Sequence, residues 1–371
     1  MSIPMSIRGY ATGEGTAGYR RRLGARADAG HFKTWQTLQL SSIGIGTYLG
    51  TEDEATDRAY EAAVRRALEL GFNVVDSAVN YRHQRSERSI GAALRGLVTA
   101  GTVARDEVLL ATKGGFIPFD GTVPANPNLY FTETYLRTGV LTSADVVGGF
   151  HCMTPRYLAD QLERSRANLG VETIDVYYLH NPETQLAALD RRAFTARMRA
   201  AFEFLEEAAG AGKIRWYGTA TWEGYRQPAT AREYLSLPDL VGLAREVAGD
   251  RHRFGVIQLP YNLAMTEALT VANQKMGKAT VSVMQAAERL GVYVMTSASI
   301  LQGKLARNLP AALGQVLEGL HTDAQRALQF VRSTPGVGTA LCGMQNVAHV
   351  EENAALVAVP PVPSEKLFAQ A

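Results

Sequence analysis

Eight short apolar runs, separated by helix-like stretches, constrain this chain more than any other feature. The runs cover residues 43–47, 73–76, 108–113, 174–180, 214–218, 255–259, 292–296 and 339–343. They are nearly continuous in hydrophobic character, the pattern of strands covered on both faces in a parallel sheet. Between them, residues 57–70, 86–97, 155–169, 197–211, 282–290 and 323–332 carry apolar side chains at three- and four-residue spacing, as amphipathic helices do. Gly71, Gly170, Gly212 and Gly291 stand where a left-handed cap ends such a helix. Eight strands, each followed by a helix, close an α/β (β/α)8 TIM barrel, expected here as a single domain over residues 36–371 with enlarged active-face loops.

The remaining sequence adds exclusions and two swollen connections. Residues 1–35 are rich in Gly, Arg and Ala, and read as an irregular N-terminal extension or tag remnant. A net charge of +2 with 20% charged residues builds no field that recruits nucleic acid or a membrane surface. Nowhere do 18 apolar residues run together, and no signal-peptide core opens the chain. Two cysteines, Cys152 and Cys342, suit a reducing, cytoplasmic setting, and neither has a partner at metal-ligand spacing, so no metal site is expected. The connection 114–154 carries Phe116, Phe119, Tyr130, Phe131, Tyr135 and Phe150, and is expected to wall a substrate pocket. His83, His151 and Cys152 read as pocket or surface residues.

Asp76, Lys113 and His180 each end an apolar run, and Tyr81 follows Asp76 by five residues. Taken singly, they read as a turn residue, a solvated strand end, a loop former and a surface aromatic. At the carboxyl ends of successive parallel strands they converge on the face where barrel active sites lie. A carboxylate, a phenol, an ammonium and an imidazole together can move a proton. An ammonium beside a phenol stabilises the phenolate, a carboxylate keeps the ammonium charged, and an imidazole can donate to a carbonyl oxygen.

These residues and their surroundings resemble the aldo-keto reductase superfamily. The resemblance runs through Gly44-Ile45-Gly46-Thr47, Gly71-Phe72-Asn73-Val74-Val75-Asp76-Ser77-Ala78 with Tyr81, Ser86-Glu87-Arg88-Ser89-Ile90-Gly91 and Ala111-Thr112-Lys113. It continues in Asp175-Val176-Tyr177-Tyr178-Leu179-His180, Gly212-Lys213-Ile214-Arg215, Gln258-Leu259-Pro260-Tyr261-Asn262-Leu263, Gln302-Gly303-Lys304-Leu305 and Glu351-Glu352-Asn353. It implies reversible, nicotinamide-dependent reduction of an aldehyde or ketone. Tyr81 would be the general acid, tuned by Lys113 and Asp76, with His180 orienting the carbonyl.

The resemblance also implies a cofactor site: Gly46, Thr47 and Asp76 from the first strands, Ala220, Thr221 and Gln258 from the fifth and sixth, and Ser297, Ile300 and Gln302 after the seventh. Gly343, Gln345, His349, Glu352 and Asn353 complete it after the eighth. Three departures stand out. Ala220-Thr221 replaces a usual Ser-Asn pair, and residues 296–300 lack the aromatic that often stacks on the nicotinamide. The segment Cys342-Gly343-Met344-Gln345-Asn346-Val347-Ala348-His349 lacks the Lys or Arg that usually clamps the 2′-phosphate of NADP. NADP is therefore expected with NAD possible. If a cation elsewhere serves the phosphate, Arg215 or an arginine within 221–253 is the first candidate. The 221–253 connection itself is expected to form a helical flap over the cofactor.

Gly44-Ile45-Gly46-Thr47-Tyr48-Leu49-Gly50 has the wrong spacing for a dinucleotide-binding fingerprint. Rival readings are a sugar or polyol dehydrogenase using NAD, a cofactor-sensing regulatory subunit with little turnover, and a lyase using Lys113 as a Schiff-base nucleophile. The partner expected is a small-molecule carbonyl or alcohol.

Overall fold

In a computed structural model describing residues 6–368, each of the eight expected runs is a strand. The barrel strands are β3 (Ile43–Gly46), β4 (Val74–Asp76), β5 (Leu109–Gly114), β6 (Ile174–His180), β7 (Ile214–Ala220), β8 (Phe254–Pro260), β11 (Tyr293–Ser297) and β12 (Thr339–Gly343). Two hairpins lie outside it: β1 (Phe32–Trp35) with β2 (Leu38–Ser41), and β9 (Gln274–Met276) with β10 (Ala279–Val281). The barrel closes in the order β11-β12-β3-β4-β5-β6-β7-β8, all neighbours parallel. The expected TIM barrel is what forms.

Strand periodicity decides which side chains point inward. Val74, Leu109, Ala111, Val176, Tyr178, Ala220, Val256, Met295 and Leu341 pack in the barrel interior. Ile43, Ile45, Val75, Leu110, Tyr177 and Leu179 pack outward against the helices. Successive strand residues alternate faces, so Asp76, Lys113, His180, Gln258, Ser297 and Gly343 continue the inward rows to their carboxyl ends. Register then sets their neighbours: Gly343 pairs with Gly46 and Gly46 with Asp76, while His180 pairs with Ala220 and Ala220 with Gln258. The outer helices include Glu54–Leu70, Arg85–Thr99, Pro155–Leu169, Arg191–Gly210, Val283–Leu290 and Asp323–Ser333. Asp53 caps the first of these by accepting from Thr56 N at 2.7 Å. Gly71 (φ +116°) stops it in a left-handed turn that a side chain would strain.

Two expectations fail. The part of residues 1–35 lying within the described residues is folded rather than irregular. Helix Gly13–Leu23 starts at Thr12, whose hydroxyl accepts from Gly15 N at 2.9 Å, and buries Tyr19, which donates to the Leu68 carbonyl. The β1–β2 hairpin plugs the barrel floor: Trp35 stacks on Tyr293 at 5.3 Å and meets Trp216 at 4.8 Å. A few anchors among many arginines suffice, since the arginines face water while Tyr19, Leu23, Phe32 and Trp35 are buried.

The 221–253 connection is not a flap either. Its helix, Leu237–Ala248, buries Leu237, Leu240, Val241 and Ala244, and takes an outer-ring place against Arg191–Gly210 and Val283–Leu290. Among the described residues, no helix is long and apolar enough to cross a membrane.

Candidate active site

Lys113 organises the carboxyl-terminal face. Its ammonium, fully buried, donates to Asp76 Oδ2 at 2.6 Å and the Ser77 carbonyl at 2.7 Å, and reaches Tyr81 Oη at 3.3 Å. The other Asp76 oxygen accepts from Gln258 Nε2 at 2.8 Å. Burial works against the Lys113 charge, but Asp76 and Tyr81 outweigh it and its pKa is raised, so the ammonium stays charged.

Tyr81 differs from the expectation in one respect. Burial pushes its phenol up by more than Lys113 pulls it down, and the net direction is upward. Tyr178, fully buried and without a cation, is pushed well above the ordinary phenol value. Lys113 therefore acts by limiting the rise. Asp76 is likewise raised by burial, against the pull of Lys113 and Gln258.

Burial, then the charge of Lys113, holds His180 well below the usual histidine range, so its imidazole is neutral. Its ring lies edge-on to Tyr81 at 5.8 Å and to Phe116 at 4.8 Å.

The loop carrying Tyr81 is held from behind. Arg82, His83 and Gln84 take φ of +48°, +50° and +73°, three successive side chains in the left-handed region. Buried Arg82 offsets that strain by donating to the Thr51 carbonyl at 2.8 Å and Asp57 Oδ1 at 2.6 Å, with its guanidinium over the Tyr60 ring. Gln84 donates to the Phe119 carbonyl at 2.9 Å.

One cavity of ≈ 1330 Å³ runs from this cluster along the barrel mouth. Asp76, Tyr81 and His180 line it, while Lys113 lies beneath. Gly46, Thr47, Ala220, Thr221, Gln258, Ser297, Ile300 and Gln302 line it, as do Gly343, Gln345, His349, Glu352 and Asn353 at its far end. Every residue of the cofactor site that the resemblance implies thus borders one space. Thr221 Oγ1 and Asn353 Oδ1 are buried there without partners, polar atoms left for a ligand.

Sequence reasoning missed several lining residues. Arg307 also borders the cavity, the one Lys or Arg among the described residues to do so. Arg215 instead covers the Tyr10 ring at 4.0 Å, away from the mouth, and Arg226 and Arg232 are taken up by Glu267 and by the Leu186 carbonyl. Asn80, Asn181 and Trp222 also line the cavity. Arg307 lies two residues beyond Gln302-Gly303-Lys304-Leu305, yet no spacing rule pointed to it.

The 114–154 insertion is only partly the expected wall. Phe116 lines the cavity, with Phe150 stacked on it at 5.9 Å. Tyr135 turns away into a small core with Leu141, Cys152 and Tyr157. Phe119 packs on His83 at 5.2 Å and on Tyr130 at 5.5 Å, outside the lining.

A family model for the aldo/keto reductase family matches residues 42–368. The Bacillus subtilis uncharacterized oxidoreductase YqkF is 23% identical over 321 residues, covering 85% of this chain and 87% of its own length. Deoxymugineic acid synthase 1-D of Triticum aestivum is 26% identical over 210 residues, 54% of either chain. Among solved structures, an aldo/keto reductase from Klebsiella pneumoniae in complex with NADP and acetate aligns over 92% of this chain and 93% of its own, with 21% identity and a TM-score of 0.61. A glycerol dehydrogenase from Gluconobacter oxydans aligns over 92% and 94%, with 17% identity and a TM-score of 0.62. The structural likenesses bear on the fold, and with the match along the sequence they lead to one conclusion: the chain belongs to the aldo/keto reductase family.

Proposed function

We propose that this protein reduces an aldehyde or ketone to an alcohol, reversibly, with NADPH as the first cofactor and NADH close behind. The observation that carries this reading is the contact of Lys113 with both Asp76 and Tyr81 at the edge of a long cavity. A neutral polar ligand end fits at Thr221 and Gln258, and a second at Glu352 and Asn353, where unpartnered buried atoms await donors. Bound there, the nicotinamide cofactor supplies the hydride.

The chain's own residues handle the proton and the charge. Tyr81, kept protonated by burial, donates its proton to the carbonyl oxygen as negative charge grows there. The phenolate left behind faces the Lys113 ammonium, which Asp76 keeps charged and aimed. His180, neutral, donates an N–H to the same oxygen. In the alcohol-to-carbonyl direction the phenolate accepts the proton.

Lys113 as a Schiff-base nucleophile is disfavoured, because its nitrogen is enclosed by three oxygens and does not line the cavity. Arg307 is the cation bordering the cavity that is available to a 2′-phosphate. An exposed single arginine gives a weak clamp, hence the modest preference for NADPH. Titrating the protein with NADPH and NADH, then assaying a carbonyl and alcohol panel with the tighter one, tests the reading. Binding with turnover abolished in Tyr81→Phe is expected; binding with no turnover of any carbonyl would overturn it.

A further inference from the structure

The two ends of the 114–154 insertion meet over His180. Phe116 and His151 form an antiparallel bridge, flanked by Ile117 N to the Phe150 carbonyl at 2.8 Å and Cys152 N to the Gly115 carbonyl at 2.9 Å. Gly115 makes the approach possible: at φ +148°, a Cβ there would stand 2.8 Å from His151 Nε2 and 2.9 Å from the His180 carbonyl oxygen.

Two contacts descend from this junction onto one residue. The Phe116 ring meets the His180 imidazole edge-on at 4.8 Å. His151, fully buried, places Nε2 2.7 Å from the His180 carbonyl oxygen.

The network also assigns the His151 proton. Arg197 Nη1 can only donate, and it does so to Gln185 Oε1 at 2.6 Å. The Gln185 amide nitrogen therefore faces His151 Nδ1, at 2.8 Å, and donates to it. Nδ1 is thus the acceptor, the ring proton sits on Nε2, and His151 donates to the His180 carbonyl. Burial, aided by Arg197, draws the His151 pKa down to about 4 against the hydrogen bond to His180, which keeps this neutral form.

His180 is otherwise held by its pairing with Ala220 at the end of β6 and by the edge of the Tyr81 ring. Its Nδ1 is buried without a partner, and Asn181 after it sits in a left-handed turn at φ +46°.

We propose that His151 is a positioning residue for carbonyl reduction: through the relay Arg197–Gln185–His151 it fixes the backbone of His180, while Phe116 fixes the ring. This rests on the role given to His180 above. The insertion is then a clamp on His180 as well as part of the pocket wall, and its Phe119 carbonyl separately holds Gln84 in the loop after Tyr81. Neither His151 nor Gln185 lines the cavity.

The test uses the full chain with saturating NADPH. His151→Leu removes the donor; it is expected to lower kcat by about tenfold or more, since small misplacements of a reacting group are costly. NADPH affinity should stay within about threefold, because the relay touches no cofactor-lining side chain. His151→Gln can donate to the His180 carbonyl and accept from Gln185, and should restore kcat to within about threefold of wild type. Equal losses for Leu and Gln, or an unchanged kcat in His151→Leu, would overturn the proposal.

If His151→Leu does not fold, Gln185→Met serves. It keeps the volume but frees His151 to change tautomer, and a kcat equal to wild type would again overturn the proposal. A wild type that binds NADPH and reduces no carbonyl would sink the catalytic reading and this proposal together. A fully active His151→Leu would sink this proposal alone.

Discussion

Two buried carboxylate–cation pairs sit toward opposite ends of the barrel, and they do different things. Near the floor, Asp175 Oδ2 accepts from Arg105 at 2.7 Å and Leu110 N at 2.8 Å, while Oδ1 accepts from Ala11 N at 2.6 Å. Arg105 also donates from Nη1 to the Val108 carbonyl and from Nη2 to the Thr173 carbonyl. Nothing in that pair faces a ligand, so it rivets the N-terminal segment to β5 and β6. At the mouth, Asp76 and Lys113 are as dry, but Lys113 keeps one direction for Tyr81 and the phenol borders the cavity. The chemistry of the two pairs is alike; what differs is where the spare donor points. This is the division expected of the two faces of such a barrel, stability below and reaction above.

The comparison can be broken most severely at the floor. Asp175→Ala leaves Arg105 buried and unpaired, and should cost about 3–5 kcal/mol in urea unfolding while NADPH affinity of the folded protein holds. A stability unchanged from wild type would show that the pair is no rivet.

Acid tests both ends together. Burial draws His31, beside the floor hairpin, and His151, beside the mouth, down to about 4. An unfolded histidine titrates near 6.5, so as pH falls below that the unfolded chain takes up protons the fold refuses. The stability is complete above about pH 6.5 and is lost toward pH 4, by roughly 3 kcal/mol for each group. Unfolding followed at pH 7 and pH 4.5 should show a smaller loss for His31→Gln than for wild type; equal losses would remove His31 from the account.

At the mouth, Lys113→Met takes away the cation that limits the rise of the Tyr81 pKa. The pH profile of alcohol oxidation, which needs the phenolate, should move to higher pH. A profile that stays put would make Lys113 a packing residue.

The smallest effect belongs to the far end of the cavity. Gln345→Arg should tighten NADPH by about tenfold and leave NADH nearly unchanged, a charged hydrogen bond gained to the phosphate. Equal tightening of both cofactors would mean the new side chain meets something other than the 2′-phosphate.

Much of this was legible in the chain because strands repeat every two residues. Once the apolar runs are phased, Asp76, Lys113 and His180 fall on the inward rows without knowledge of any contact. The other residues bordering the cavity were named by the family resemblance, and among them Ala220, Gln258, Ser297 and Gly343 lie at the ends of β7, β8, β11 and β12. What stayed hidden depends on partners far apart in sequence. His151 acquires its role from His180 and Gln185, 29 and 34 residues away. The Tyr19 hydroxyl finds the Leu68 carbonyl 49 residues on, so an arginine-rich segment that composition marks as irregular becomes a docked helix. The opposite error occurred at 221–253, where length suggested a flap although the helix had the apolar face of an ordinary outer-ring member.

The most direct measurement follows oxidation of bound NADPH in a single turnover, after mixing loaded protein with a carbonyl substrate. Tyr81→Phe keeps the ring against Lys113, Tyr48 and His180 and removes only the hydroxyl that carries the proton. The rate should fall by about 10²–10⁴-fold, the usual range for a positioned general acid, with NADPH affinity within a few-fold of wild type. A Tyr81→Phe protein that retains more than about a tenth of the wild-type rate would contradict the assignment of Tyr81 as the acid.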